Sequence, residues 1–223
     1  MRPLSRRQMA WCAAQDIAEG SYVNLGIGLP TLVSDFVPAE REVVFHSENG
    51  ILGMGGAPRP GEGDTDLINA GKGLTTLVPG GSYFHHNDAF LMIRGGHLDL
   101  SIMGAFEVSE TGDLANWTTD DPTFAPGVGG AMDLAAGARE VRALLEHTTR
   151  DGAPRIRRRC RYPLTAPSCV KRVYTNLAVL DITPEGVVVR AMVEGLDLPA
   201  LQALTEPELR LGNHWARLVA PEI

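Results

Sequence analysis

Glu48 is the residue whose type and position most suggest chemistry. It follows Val43-Val44-Phe45-His46-Ser47 and precedes Asn49-Gly50. The Val43-Val44-Phe45 run is continuously β-branched and aromatic, the pattern of a strand buried on both faces of a parallel sheet. Asn-Gly then permits a sharp turn. A carboxylate leaving such a strand sits among backbone N–H groups with little water, conditions that perturb a carboxyl group and mark functional sites. A glutamate that merely caps a turn would show the same spacing, so spacing alone leaves both readings open. His46, a lone histidine at a strand end, reads as a packed neighbour and is assigned no chemistry.

Four glycine-rich segments lie next to apolar runs: NLGIGLP (24–30), SENGILGMGG (47–56), INAGKG (68–73) and VGGAMDL (128–134). Each alone reads as a turn. Together they predict several strand ends converging on an extended ligand that crosses bare backbone, in the crevice beyond the carboxyl ends of an open α/β sheet. None is a Walker A or GxGxxG fingerprint, so ATP and NAD have no direct support.

The elements that must position these residues follow from the apolar pattern. Met9, Trp11, Ala13 and Ile17 predict a helix over 4–19 that Gly20 stops. Strands are expected over 22–26, 43–45, 74–78, 98–103, 141–145 and 172–181. Helices are expected over 31–37, ended by Pro38, and over 88–93 and 198–204, with a long loop at 53–66. Short apolar runs alternating with turns and helical pieces argue for an α/β sheet.

Composition bounds the function. The chain has 223 residues, 44% hydrophobic and 21% charged, enough for one large core, so a single domain over 1–223 is expected. Its 25 Gly suit many tight strand-to-helix turns. A net charge of -7 argues against a nucleic-acid partner. Cys12, Cys160 and Cys169 show no CxxC spacing, so neither a disulfide framework nor a metal site is expected. Residues 1–16 lack a leader pattern, and no apolar run nears the roughly 18 residues of a membrane span. A soluble, cytoplasmic protein without membrane contact is expected.

At this point the sequence resembles the family I CoA-transferases, in their catalytic-subunit (B or β) portion. YVNLGIGLPTLV, HSENGILGMG, DLINAGK, MIRGGHLDL, GDLANW and VGGAMDL occur in the family's order over nearly the whole chain, and the SENG tetrad is highly specific. The resemblance implies a three-layer, open, mainly parallel α/β sheet of the type shared with sugar-phosphate isomerases. It implies ping-pong transfer in which Glu48 attacks an acyl-CoA and becomes a glutamyl-CoA thioester. Gly130 would offer an oxyanion N–H, with Gly129 beside it. Lys72 would lie near CoA, Gly26 and Gly28 would shape the pocket, and Asn49 and Ser47 would orient Glu48. CoA enters as substrate, so no cofactor and no metal are implied. A companion A (α) subunit is implied, in an α2β2 assembly.

SYFHHNDAF, GGHLDLSIMGAFEVSETGDLANW and CVKRVYTNLAVLDITPEG look closer to the branch that moves CoA from succinyl-CoA to 3-oxoadipate, in aromatic-compound catabolism, than to acetoacetate-type enzymes. His85, His86 and Arg94 are the candidates for the acid's remote carboxylate. WTTDDPTFAPGVGGAMDL, Glu107 and Thr118 depart from the common pattern and leave the acceptor open between this branch and the acetoacetate- or acetate-type enzymes. Asn116 and Trp117 read as a structural corner, Trp117 first of all as core. The basic run Arg155 to Arg161 is basic enough for phosphate, but a solvated strand face or subunit contact is the better reading. Outside this branch, the rivals are a CoA-binding protein without transfer and a sugar-phosphate isomerase of the same fold.

Overall fold

A computed structural model describes residues 2–121, 123 and 125–223. Met1, Pro122 and Phe124 lie outside the described residues, the last two within the WTTDDPTFAPG departure. In chain order the elements are α1 (Arg6–Gln15), β1 (Tyr22–Leu25), a 3₁₀ helix (Leu29–Phe36), β2 (Val44–Ser47), β3 (Ile51–Met54), β4 (Leu77–Tyr83) and α2 (His86–Arg94). There follow β5 (Leu100–Gly104), β6 (Glu107–Ser109), β7 (Leu114–Ala115), α3 (Ala131–Gly137), β8 (Glu140–Leu144) and β9 (Ile156–Arg157). The chain ends with β10 (Val170–Tyr174), β11 (Ala178–Thr183), β12 (Gly186–Val193), α4 (Leu198–Gln202) and β13 (Leu209–Leu218).

One ten-stranded sheet runs in the order β13-β12-β11-β10-β8-β5-β1-β2-β3-β4, and β7-β6-β9 form a second, three-stranded sheet. The centre of the large sheet, β10-β8-β5-β1-β2, is parallel throughout. Antiparallel strands flank it: β3 and β4 on one side, β11 and β12 on the other. The expected α/β sheet is therefore present, with a parallel middle. Among the described residues no helix is long and apolar enough to cross a membrane.

Both faces of the centre are covered, as parallel strands require. On one face Met9 and Ala13 of α1 pack on Val23, Leu25, Ile102 and Leu144. On the other, Ile93 of α2 and Leu134 of α3 share a core with Met103, Ala143 and Val173, and with Val108, Leu114 and Ile156 of the small sheet. Successive residues Ile102 and Met103 serve opposite cores, the period-2 alternation of a strand with two dry faces.

Several expectations are corrected. The first helix starts on a capping box, Ser5 Oγ accepting from Gln8 N–H at 3.2 Å and Gln8 Oε1 from Ser5 N–H at 2.9 Å. It stops at Gln15 rather than 19. Arg41 caps its end by donating to the carbonyls of Ala14, Gln15 and Ile17 at 3.3, 2.9 and 2.8 Å. The single strand expected over 172–181 is two, β10 and β11, folded back at Thr175, whose Oγ1 accepts from the N–H groups of Leu177 and Ala178. The strand expected over 74–78 begins later, at Leu77. Thr31 lies inside a 3₁₀ helix that already starts at Leu29.

Candidate functional site

The carboxyl ends of the parallel strands open into one crevice of about 870 Å³, the place such sheets use for ligands. Gly26 and Ile27 follow β1, Glu48 follows β2, Gly104 to Phe106 end β5, Leu145 and Glu146 follow β8, and Asn176 follows β10. The wall opposite is residues 127–131, leading into α3.

Glu48 sits at the second position of a turn closed by Gly50 N–H donating to the Ser47 carbonyl at 3.0 Å. Gly50 has φ +101°, and a Cβ there would strike the Phe84 carbonyl oxygen. Only glycine satisfies both demands. Ser47 Oγ donates to Asn49 Oδ1 at 2.6 Å, and Asn49 Nδ2 donates to the Ile68 carbonyl at 2.7 Å. His86 Nδ1–H donates to the Glu48 carbonyl oxygen at 2.9 Å. These bonds fix the turn's backbone and leave the Glu48 carboxylate free to face the crevice. Ser47 and Asn49 thus orient Glu48 indirectly, through the turn.

The carboxylate lies against Gly130. A Cβ on Gly130 would collide with Glu48 Oε2 and stand 2.9 Å from Phe90 Cζ. The bare backbone of the GGAMDL segment is what allows the approach. Gly130 is the residue before α3, and among the described residues its N–H has no hydrogen-bond acceptor. Burial pushes the Glu48 carboxyl above its ordinary value of 4.5; charge interaction with His86 opposes that shift and Asp133 adds to it. Removing a carboxylate from water raises both its basicity and its reactivity toward a carbonyl.

Beneath the turn, His46 is buried, its Nδ1 accepting from Asn24 Nδ2 at 3.1 Å, while Nε2 is buried without a partner among the described residues. Burial lowers its pKa to about 4, so it is a neutral packed neighbour, as expected.

Of the other expected site residues, Gly26, Gly129 and Gly130 line the crevice with Glu48, whereas Gly28, Asn49 and Lys72 do not. Gly26 is squeezed against β5, where a Cβ would stand 3.3 Å from Ile102 O and Met103 Cα. Lys72 is exposed, with φ +64°, in a loop whose Asn69 Oδ1 accepts from the N–H groups of Gly71 and Gly73. That loop reaches the crevice only at its rim, where Gly71 approaches Ile27.

His85, His86 and Arg94 do not line the crevice. His85 caps α2, its Nδ1 accepting from Asn87 N–H at 3.1 Å. Arg94, 61% exposed in its side chain, pairs with Asp133 at 2.7 Å and so clamps α2 to α3. Asn116 does form a corner, donating to the Gly104 carbonyl and accepting from Thr165 Oγ1. Trp117 is only half-buried and joins neither core, its indole donating to the Leu164 carbonyl.

The basic run divides. Arg157 and Arg161 pair with the buried Glu107, and Arg157 also with Glu206. Arg155 lines the crevice with Arg6, Arg150 and Asn176. Sequence reasoning missed these four, because nothing in RIRRRCR distinguishes the arginine that turns inward.

Comparison with known proteins gives the chain's family. Residues 7–197 match the family described as Coenzyme A transferase. The chain is 54% identical over 204 residues to the B subunit of 3-oxoadipate CoA-transferase from Pseudomonas putida, covering 92% of this chain and 95% of that one. It is 46% identical over 199 residues to the B subunit of succinyl-CoA:3-ketoacid coenzyme A transferase from Helicobacter pylori, covering 89% and 95%. Among solved structures, its fold is similar to acyl-CoA transferase from Escherichia coli O157:H7, at TM-score 0.72 and 16% identity; the match spans 96% of this chain but 43% of that one. Glutaconate coenzyme A-transferase from Acidaminococcus fermentans superposes at TM-score 0.70 and 14% identity over 98% and 90%. By its sequence match over most of its length, the chain belongs to the coenzyme A transferase family.

Proposed function

We propose that this chain is the glutamate-bearing B subunit of a two-subunit enzyme that moves CoA from succinyl-CoA to 3-oxoadipate. The observation that carries the reading is Glu48, half-buried at the carboxyl edge of the parallel sheet and packed on the bare Gly130 backbone inside the crevice. The choice of acids rests on the relatives whose names specify 3-oxoadipate, at 54% and 52% identity, against 46% for the 3-ketoacid relative.

In this mechanism a Glu48 oxygen attacks the succinyl thioester carbonyl, and the C–S bond breaks to give a succinyl-glutamyl anhydride and CoA thiolate. The thiolate attacks the glutamyl carbonyl, releases succinate and leaves CoA on Glu48 as a thioester. 3-Oxoadipate's carboxylate attacks that thioester, and the expelled thiolate takes the oxoadipyl group and frees Glu48. Splitting one exchange into these steps is nucleophilic catalysis. Each tetrahedral intermediate carries an oxyanion, for which the unpartnered Gly130 N–H is the donor in this chain. Burial of Glu48 keeps water from the anhydride and thioester. No cofactor beyond the CoA substrate takes part. The enzyme works in the cytoplasm, in aromatic-compound breakdown, as an α2β2 assembly with an A subunit.

The test is Glu48→Gln in the co-expressed complex. The near-isosteric amide keeps fold and assembly, and exchange should fall by several orders of magnitude. Wild-type enzyme given succinyl-CoA without acceptor, then borohydride, should carry a reduced residue 48 in the peptide spanning 47–50. Near-normal turnover in Glu48→Gln, or label on another residue, would end this reading.

A further inference from the structure

We infer that Arg155 is the specificity residue that holds the remote carboxylate of a dicarboxylic acyl group while its other end reacts at Glu48. The inference rests on the proposed function and names what in this chain selects the acid.

Arg155 lines the same crevice as Glu48. Its Nε is buried without a hydrogen-bond partner, and its guanidinium makes no ion pair among the described residues. Glu146 shares the crevice wall, yet among the described residues no ion pair joins it to Arg155. A partly buried cation without a counter-charge costs free energy, and a ligand carboxylate that arrives bidentate on the guanidinium would relieve that cost. Arg157 and Arg161 pair with Glu107, Arg158 and Arg159 are exposed, and Arg155 is the arginine of the run that lines the crevice. Arg6 and Arg150, both exposed, also line the crevice and add positive potential for an incoming dianion.

The position is rigid. Arg155 N–H donates to the His147 carbonyl at 3.0 Å, and the Arg155 carbonyl accepts from Val108 N–H at 3.0 Å. His147 is itself buried, bonded at its two ring nitrogens to Thr175 Oγ1 and Thr205 Oγ1 at 3.0 and 2.9 Å. A donor on such a platform needs little ordering on binding.

Glu48, just after β2, and Arg155, just before β9, line the same crevice of about 870 Å³. A monocarboxylate such as acetoacetate would leave Arg155 unpaired.

The experiment uses the co-expressed two-subunit enzyme with succinyl-CoA as donor. In a ping-pong reaction, kcat/KM for the acceptor reports only the second half-reaction, so donor effects drop out. R155M should lower kcat/KM for 3-oxoadipate by about 10- to 100-fold, the size of a lost charge-assisted contact. For acetoacetate the change should stay within about threefold. R155K should recover part of the 3-oxoadipate rate. Esterifying the remote carboxylate of 3-oxoadipate should reduce wild type to the level of R155M while leaving R155M unmoved. Parallel losses for both acceptors, or no loss for either, would overturn the inference while the proposed function stood. Wild-type preference for acetoacetate would overturn the substrate reading and this inference together.

Discussion

At the scale of single residues, Glu48 is held at cross purposes. Burial raises its pKa above 4.5, yet attack on a thioester requires the ionised form. For the donor, kcat/KM reports the free enzyme, so its acid limb should lie above the ordinary glutamate range. His86→Gln removes a charge that lowers the Glu48 pKa and should move that limb to higher pH. Asp133→Asn removes one that raises it and should move the limb lower. Shifts of opposite sign to these would refute the electrostatic account. Linkage gives a companion result. A carboxyl whose folded pKa is raised contributes most below its unfolded value, and that contribution is lost as pH rises through the folded value. Ionised Glu48 therefore costs stability at neutral pH. Glu48→Gln should be more resistant to urea than wild type at pH 7, with the gain vanishing near pH 4, as expected where function is kept at some cost to stability. Equal urea midpoints at pH 7 would show that the site carries no such strain.

At the scale of elements, the β2–β3 hairpin is the device that presents Glu48. Gly50→Ala should destabilise the protein by at least about 1–3 kcal/mol from its positive φ alone, and by more because the new Cβ meets the Phe84 carbonyl. A urea midpoint unchanged by that substitution would mean the turn can relax without loss. This hairpin's first strand was readable because Val43-Val44-Phe45 is apolar without interruption and Asn-Gly follows it. The helix α2 was readable from its apolar spacing. Other elements were not read. The β10–β11 reversal uses Thr175-Asn176-Leu177, where a threonine hydroxyl replaces the glycine or proline that usually announces a turn. The early end of α1 depends on Arg41, distant in sequence. β12 was missed although Gly186–Val193 carries a Val-rich run, a local signal that went unused. At the site, glycine segments indicated which backbones converge. Which arginine faces inward depends on distant partners, Glu107 and Glu206 pairing with Arg157 and Glu107 with Arg161, a long-range fact absent from any local pattern.

At the scale of the whole molecule, two buried histidines set the acid limit. His46 and His147 both have pKa values lowered to about 4 by burial, from 6.5. Their contribution is fully present above about 6.5 and is lost as pH falls toward 4, at about 1.4 kcal/mol per pH unit for each proton taken up on unfolding. His147→Asn should flatten the dependence of stability on pH across that window by about one proton, whatever it does to the absolute stability. An unchanged slope would contradict the assignment. The surface points the same way as the relatives' subunit names. The edge strand β13 carries Arg210 and Arg217, charges that discourage sheet-to-sheet pairing. Among the exposed large apolar residues, three stand at the crevice and on the two helices beside it: Ile27 at 62%, Leu91 of α2 at 64% and Met132 of α3 at 53% exposed. Apolar side chains around an open catalytic crevice are what a partner subunit covers. Expressed alone, the chain should therefore self-associate on a sizing column and show no CoA exchange. Co-expression with the A subunit should yield a discrete complex, protect Ile27 and Met132 from surface labelling, and restore exchange. Full exchange by the isolated chain at low concentration would show instead that Glu48, Gly130 and Arg155 need no second polypeptide to close the crevice around the thioester.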